Sequence, residues 1–95
     1  MIFISIIGGY TVKSNQELGD GRPDIVVYND LDKKAMVIET KRTSDEKNMD
    51  AMCDEALGQI IDNRYATPLK EQYPDVLCYG IAFCKKSALV KLLPE

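Results

Sequence analysis

The sequence predicts a single α/β domain, spanning residues 1–95, in which one helix covers a mixed β-sheet. Three observations support this fold class. Short apolar segments with strand propensity precede a longer segment whose apolar residues recur at three- and four-residue steps. Two further apolar segments follow, and a strand–helix–strand passage usually joins parallel neighbours in one sheet. The length of 95 residues suits one compact domain.

The elements can be assigned in chain order. The first seven residues are apolar except for Ser5 and precede two glycines, which fits either the end of a helix or a short strand. Because no capping signal precedes them, we expect a largely truncated N-terminal helix. The main helix should begin with Ser44 or Asp45 as its N-cap and end at Tyr65-Ala66, just before Pro68. The predicted order is therefore (α)-β-β-β-α-β-β. Its strands are predicted over residues 10–13, 24–28, 35–41, 76–83 and 88–92.

Composition restricts the available chemistry. The chain has no histidine, which excludes Ser-His-Asp triads, HExxH zinc sites and histidine-based nucleases. Its three cysteines are odd in number and lack CxxC spacing, so we expect reduced thiols packed in the core. The net charge of −3 gives no general attraction to nucleic acid, and DNA binding would need a local basic patch. Without a signal peptide or a span of ~20 apolar residues, the protein is expected to be soluble and cytoplasmic.

Turn length predicts the register of the hairpin that contains the most informative residues. If its turn centres between Leu31 and Asp32, Asp24 lies opposite Glu39. Directly opposed side chains share a face of the sheet, with Cβ atoms about 4.5–5.5 Å apart. Period-two alternation places Lys41 on the same face. A slip of one residue would separate the three side chains, so the prediction depends on this register.

Two opposed carboxylates at the end of an apolar strand pair indicate a cation site. Asp24 and Glu39 repel each other unless positive charge lies between them, and Mg²⁺ prefers such oxygen ligands. Lys41 could then orient the attacking water or neutralise the transition state of phosphodiester hydrolysis. Arg22 and Arg42 flank the site and could bind neighbouring phosphates. The alternative is an exposed hairpin end with a weak surface ion pair, because a Glu-x-Lys triplet alone is common.

The glycines of one predicted turn and the lysines of another each fit either a purely structural role or phosphate binding. Gly19 and Gly21 fit a tight turn, although their backbone N–H groups could instead bind a phosphate. Lys85 and Lys86 form the predicted turn before the last strand. They are either simply solvated or extend a DNA-binding track.

An ordered series of segments, covering about Phe3 to Leu92, resembles the PD-(D/E)XK nuclease superfamily. In particular, it is similar to the small nuclease-like domain at the C-terminus of AAA-ATPase-like bacterial proteins. The segments that carry the resemblance are Tyr10-Thr11-Val12, Ser14-Asn15-Gln16-Glu17, Gly19 to Asp24, Glu39-Thr40-Lys41, Gln59, Tyr65-Ala66 and Gly80-Ile81-Ala82-Phe83.

The resemblance implies a restriction-endonuclease-like mixed sheet and a metal-dependent hydrolase acting on phosphodiester bonds, with DNA as the expected substrate. It implies Mg²⁺ or Mn²⁺ as the cofactor and Asp24 and Glu39 as metal ligands. The carbonyl oxygen of Thr40 is a further expected ligand. Lys41 would be the catalytic lysine, and Gln59 would point toward the site from the following helix.

The resemblance also suggests a further site residue, partners and two competing functions. Glu17 belongs to the family pattern and is a possible additional site residue. A homodimer and an ATPase-like domain, in cis or in trans, are possible partners besides DNA. The competing functions are a catalytically inactive nucleic-acid-binding module and a protein-interaction module of an ATPase-like protein.

Overall fold

A computed structural model describes residues 3–7 and 10–94 as a mixed sheet with helices. Within this part of the chain the sheet has six strands in sequential order, and only β4 and β5 run parallel. A single 3-10 turn at Glu46–Asn48 precedes the first helix. The elements are β1 (Phe3–Ile7), β2 (Tyr10–Ser14), β3 (Ile25–Asn29), β4 (Lys34–Arg42), α1 (Met49–Asp62), α2 (Ala66–Lys70), β5 (Asp75–Cys84) and β6 (Ser87–Leu92).

The first element differs from the expected N-terminal helix. Phe3–Ile7 is a strand that pairs antiparallel with β2, from Phe3 opposite Ser14 to Ile7 opposite Tyr10. The segment is rich in isoleucine, whose branched side chain suits a pleated strand better than a helix. The expected order is therefore corrected at its first position, where the chain adds a strand to the sheet.

The long helix predicted to end at Ala66 is interrupted. Helix α1 ends at Asp62, and Arg64 has a positive φ of 53°, which a continuing right-handed helix does not allow. A second helix, α2, then begins at Ala66, and Pro68 lies inside it instead of beyond the last turn. Proline is tolerated there because the first turn of a helix leaves its N–H groups without intrahelical partners.

Helix α1 packs on the sheet through the predicted apolar stripe. Its buried residues are Met49, Cys53, Ala56, Leu57 and Ile60. Ile61, which follows Leu57 at the same four-residue spacing, is instead 56% exposed. Gly80 of β5 permits the close approach of the helix, because a Cβ atom there would lie 2.6 Å from the carbonyl oxygen of Cys53.

The core lies between both helices and one face of the sheet. One buried cluster combines strand residues with residues of α1 and α2, and it includes Val26, Val37, Cys78, Ile60 and Leu69. The three cysteines are buried and unpaired, as predicted. Along β6, Val90 and Leu92 remain about half exposed. None of the helices described is long and apolar enough to cross a membrane.

Candidate active site

The β3–β4 hairpin has the predicted register. Its pairs run from Asn29 opposite Lys34 to Ile25 opposite Ile38. One further step brings Asp24 to Glu39, and the backbone N–H of Asp24 donates a hydrogen bond of 3.0 Å to Oε1 of Glu39. The two carboxyl-bearing residues therefore meet at one end of the hairpin, as the sequence predicted.

Asp24 is held by its neighbours on both sides. Its Oδ2 atom accepts hydrogen bonds from the backbone N–H and from the hydroxyl of Thr40, each 2.8 Å long. Its carbonyl oxygen accepts from the N–H of Asn15 at 3.2 Å, and the preceding Pro23 is buried. These contacts attach the residue to β4 and to the end of β2, which fixes the position of its carboxylate.

Glu39 is the most unusual residue of the site. It is only 2% exposed, and its Oε2 atom has no hydrogen-bond partner within the described residues. Burial raises the pKa of Glu39 to about 7, and the neighbouring Asp24 carboxylate adds to the rise, while the N–H of Asp24 and the charge of Lys41 oppose it. A buried carboxylate oxygen without a partner is destabilising, so this position favours the uptake of a cation or a proton.

Lys41 lies on the same face and faces helix α1. Its Nζ atom donates a 2.9 Å hydrogen bond to Oε1 of Gln59 and lies 3.8 Å from Oε1 of Glu55. Gln59 thus contacts Lys41 from the helix that follows β4. Glu55 was missed, although its position four residues before Gln59, on the same side of a helix, was a usable signal.

The site fits a divalent cation that keeps part of its shell for water and substrate. Asp24 and Glu39 would supply two carboxylates, and Oε2 of Glu39 has no partner among the described residues that a cation would have to displace. Over residues 3–7 and 10–94, no group of three or more histidine, cysteine, aspartate or glutamate side chains could hold a metal. The remaining ligands would be carbonyl oxygen, water or phosphate, which is the type of shell that Mg²⁺ adopts.

The other predicted residues are placed differently. Glu17 forms an exposed ion pair with Arg22 at 3.0 Å and joins no metal-binding cluster of described residues. Arg22 is therefore partly neutralised. Arg42 is exposed at the end of β4, next to Phe83 of β5, and forms no ion pair with a residue in the described ranges.

The glycine pair serves the turn before β3. Gly19 has a positive φ of 59°, and a Cβ atom there would lie 2.5 Å from the carbonyl oxygen of Arg64. Leu18 and Gly21 exchange two backbone hydrogen bonds, so the N–H of Gly21 is already used. Asp20 adds an ion pair with Arg64 at 2.6 Å. The turn interpretation accounts for both glycines without a bound phosphate.

Comparison with known families agrees with this geometry. A family model described as the PD-(D/E)XK nuclease superfamily matches residues 1–92. The chain belongs to this superfamily. The pattern in the superfamily's name has the same form as Pro23-Asp24 and Glu39-Thr40-Lys41. Membership of the PD-(D/E)XK superfamily indicates a hydrolytic nuclease, and such nucleases typically use divalent metal ions. Neither the comparison with curated proteins nor that with solved structures gave a match.

Proposed function

We propose that this PD-(D/E)XK protein is an endonuclease that hydrolyses phosphodiester bonds of DNA with Mg²⁺ or Mn²⁺. The observation that carries the proposal is the buried Oε2 atom of Glu39, which has no hydrogen-bond partner among the described residues and lies beside Asp24, on the face that carries Lys41. A weak surface ion pair would not bury such an atom, whereas a bound cation would satisfy it.

In this proposal Asp24 and Glu39 hold the cation, and the carbonyl oxygen of Thr40 is a third ligand. The bound cation supplies positive charge that polarises a phosphate oxygen and acidifies a neighbouring water molecule. The hydrogen bonds from Thr40 to Asp24 keep one carboxylate oriented before substrate arrives. The fixed geometry reduces the reorganisation that binding would otherwise require.

Lys41 and the flanking arginines act on the substrate. The ammonium group of Lys41 orients the attacking water and stabilises the negative charge that develops on the phosphate. Gln59 holds this ammonium through a 2.9 Å hydrogen bond and acts as a positioning residue. Arg22 and Arg42 bind phosphates on either side, with Arg22 first leaving its ion pair with Glu17.

A calorimetric Mn²⁺ titration tests the proposal. Wild type is compared with the Asp24→Asn/Glu39→Gln variant and with a matched control, Asp62→Asn/Glu71→Gln, which removes two exposed carboxylates outside the site. We expect binding to wild type and control and none to the site variant. Cleavage of supercoiled plasmid DNA in Mg²⁺ should follow the same order.

Absence of Mn²⁺ binding to the wild type would contradict the proposal. It would favour a catalytically inactive nucleic-acid-binding module or a protein-interaction module. Equal loss of binding in the site variant and the control would point to nonspecific attraction by surface carboxylates instead.

The proposed association partners follow from the resemblance alone. They are a second copy of the chain and an ATPase-like domain, in cis or in trans, and a cytoplasmic location is proposed with them. Sedimentation velocity tests the homodimer, which would have twice the 10.7 kDa mass of the chain. A monomer at all accessible concentrations would contradict it.

A further inference from the structure

The same Lys-Lys pair occurs in two hairpin turns of the sheet. Lys33 ends the turn between β3 and β4, Lys34 is the first residue of β4, and Lys85 and Lys86 join β5 to β6. All four side chains are exposed, and the first lysine of each pair has a positive φ of 55°. The two pairs therefore have the same composition and the same φ at their first residue. They differ in their position in the sheet.

Only the second pair lies near the candidate active site. β4 and β5 are parallel, so they end at the same edge of the sheet, and Lys41 is the neighbour of Ala82. Lys85 follows three residues later. At about 3.3 Å per residue and about 4.8 Å between strands, its Cα atom lies roughly 11 Å from that of Lys41. Lys34, at the start of β4, lies roughly 23 Å from Lys41 on the same scale.

The two pairs also differ in local charge. Lys34 is paired in register with Asp75, and Asp30 and Asp32 precede it in the same turn. These carboxylates counteract the positive charge at that end of the sheet. The first turn therefore gives little net attraction for a polyanion.

The second turn itself contains no acidic residue, and the acidic residues nearest to it beyond β4, Asp45 and Glu46, follow Arg42 by three and four residues. Cys84 and Ser87 close it, and the neighbouring residue at the end of β4 is Arg42, beside Phe83. Neither turn lysine forms an ion pair with any residue in the described part of the chain. With Arg42 they supply three positive charges against the two carboxylates of Asp45 and Glu46, which leaves this edge locally basic although the chain is acidic overall.

We propose that Lys85 and Lys86, together with Arg42, form a basic tip that binds backbone phosphates of the DNA substrate beside the scissile bond. This inference rests on the proposed function, because it assumes a DNA substrate. At 3.4 Å of rise per base pair, roughly 11 Å corresponds to about three base pairs from the cut. Lysine ammonium groups contact phosphates without reading bases, so the tip positions the duplex and contributes no sequence specificity.

The test compares Lys85→Gln/Lys86→Gln with the matched control Lys33→Gln/Lys34→Gln. Binding of a short fluorescein-labelled DNA duplex is measured by anisotropy in EDTA, from about 0.05 to about 0.2 M KCl. Each lysine that contacts a phosphate should contribute on the order of tenfold in affinity at 0.1 M salt. The tip variant lacks two lysines, so it should bind about a hundredfold more weakly, and its log–log salt slope should be smaller by about 1.8. The control should behave as wild type.

Equal weakening in both variants would overturn the proposal, and so would unchanged binding in the tip variant or no binding by wild type. Melting curves check that the variants are folded. If the double variant is unstable, Lys86→Gln alone replaces it, because Lys86 does not have the positive φ of Lys85. Cleavage is measured separately in Mn²⁺. Tip-dependent DNA binding without cleavage would sustain the tip and refute the nuclease. If cleavage and DNA binding were both unchanged in the tip variant, the tip would be refuted and the nuclease sustained.

Discussion

Among the residues whose burial the structure describes, two polar side chains are buried, Asn29 and Glu39; they lie at opposite ends of the β3–β4 hairpin and differ sharply in their hydrogen bonding. Oδ1 of Asn29 accepts hydrogen bonds from the N–H groups of Leu31 and Asp32, and its Nδ2 donates to Asp32, all at 3.1 Å. Glu39 has one hydrogen bond, from Asp24, and one buried oxygen without a partner among the described residues.

This difference indicates that Asn29 stabilises the hairpin, whereas Glu39 is positioned by the hairpin for another role. Buried polar groups in folded proteins nearly always find partners, and Asn29 uses both ends of its amide to close the turn. An exception needs a reason other than stability. The hairpin therefore has a structural end at Asn29 and a functional end at Glu39, built on the same pair of strands.

The largest expected effect concerns catalysis. Glu39→Gln keeps the shape of the side chain but removes its negative charge, and cleavage should fall by about a thousandfold, or ~4 kcal/mol in activation free energy. Asn29→Ala should leave the rate per folded molecule essentially unchanged. Initial rates of plasmid nicking, measured well below the melting temperature of each variant, check both. A comparable loss in Asn29→Ala would remove the distinction between the two ends.

The pH dependence of stability gives the next largest effect. The pKa of Glu39 in the folded protein is about 7, above its ordinary value of 4.5, so the folded state holds the proton more tightly than the unfolded state does. In EDTA, this residue should lower the free energy of unfolding as pH rises from 4.5 to about 7, by up to about 3 kcal/mol, with no further change above that range. Urea unfolding of wild type and Glu39→Gln isolates the contribution, which the variant should lack. Parallel pH profiles would mean that Glu39 is not the titrating group.

At fixed pH, substitution of Asn29 should lower the free energy of unfolding more than substitution of Glu39. Asn29→Ala leaves the N–H groups of Leu31 and Asp32 without their acceptor, and we expect a loss of about 2 kcal/mol in the free energy of unfolding. Glu39→Gln in EDTA at neutral pH should be neutral or stabilising. Asn29→Asp is the control, because it keeps an acceptor oxygen while placing a second carboxylate beside Asp32. It should be less destabilising than alanine, and the reverse order would mean that these hydrogen bonds contribute little.

The placement of Asp24, Glu39 and Lys41 could be predicted from the sequence because it depends on local rules. Alternation in a strand that buries one face, together with turn length, fixes the register of a hairpin. The strands around the site were predicted to within one residue at each end for the same reason. The first strand was ambiguous because the periodicity of so short an apolar segment does not distinguish a helix from a strand.

Features that depend on distant contacts could not be predicted. The break after α1 is stabilised by the ion pair between Arg64 and Asp20, and an arginine gives no sequence signal for a positive φ. The pairing of Glu17 with Arg22 and the hydrogen bonds from Thr40 to Asp24 likewise depend on how the loop before β3 folds back. The raised pKa of Glu39 requires the burial that tertiary packing provides.

The smallest expected effect concerns Gln59, which contacts the site without being one of the proposed metal ligands. Gln59→Leu removes the acceptor of the hydrogen bond from Lys41 but keeps a side chain of similar size, so the ammonium gains freedom. Cleavage should slow by about tenfold, or ~1.4 kcal/mol, with unchanged Mn²⁺ affinity. Glu55→Gln is the control, because its 3.8 Å contact with Lys41 is more exposed and should matter less. If Gln59→Leu weakened Mn²⁺ binding as well, Gln59 would support the cation site itself, and the functional end of the hairpin would extend onto helix α1.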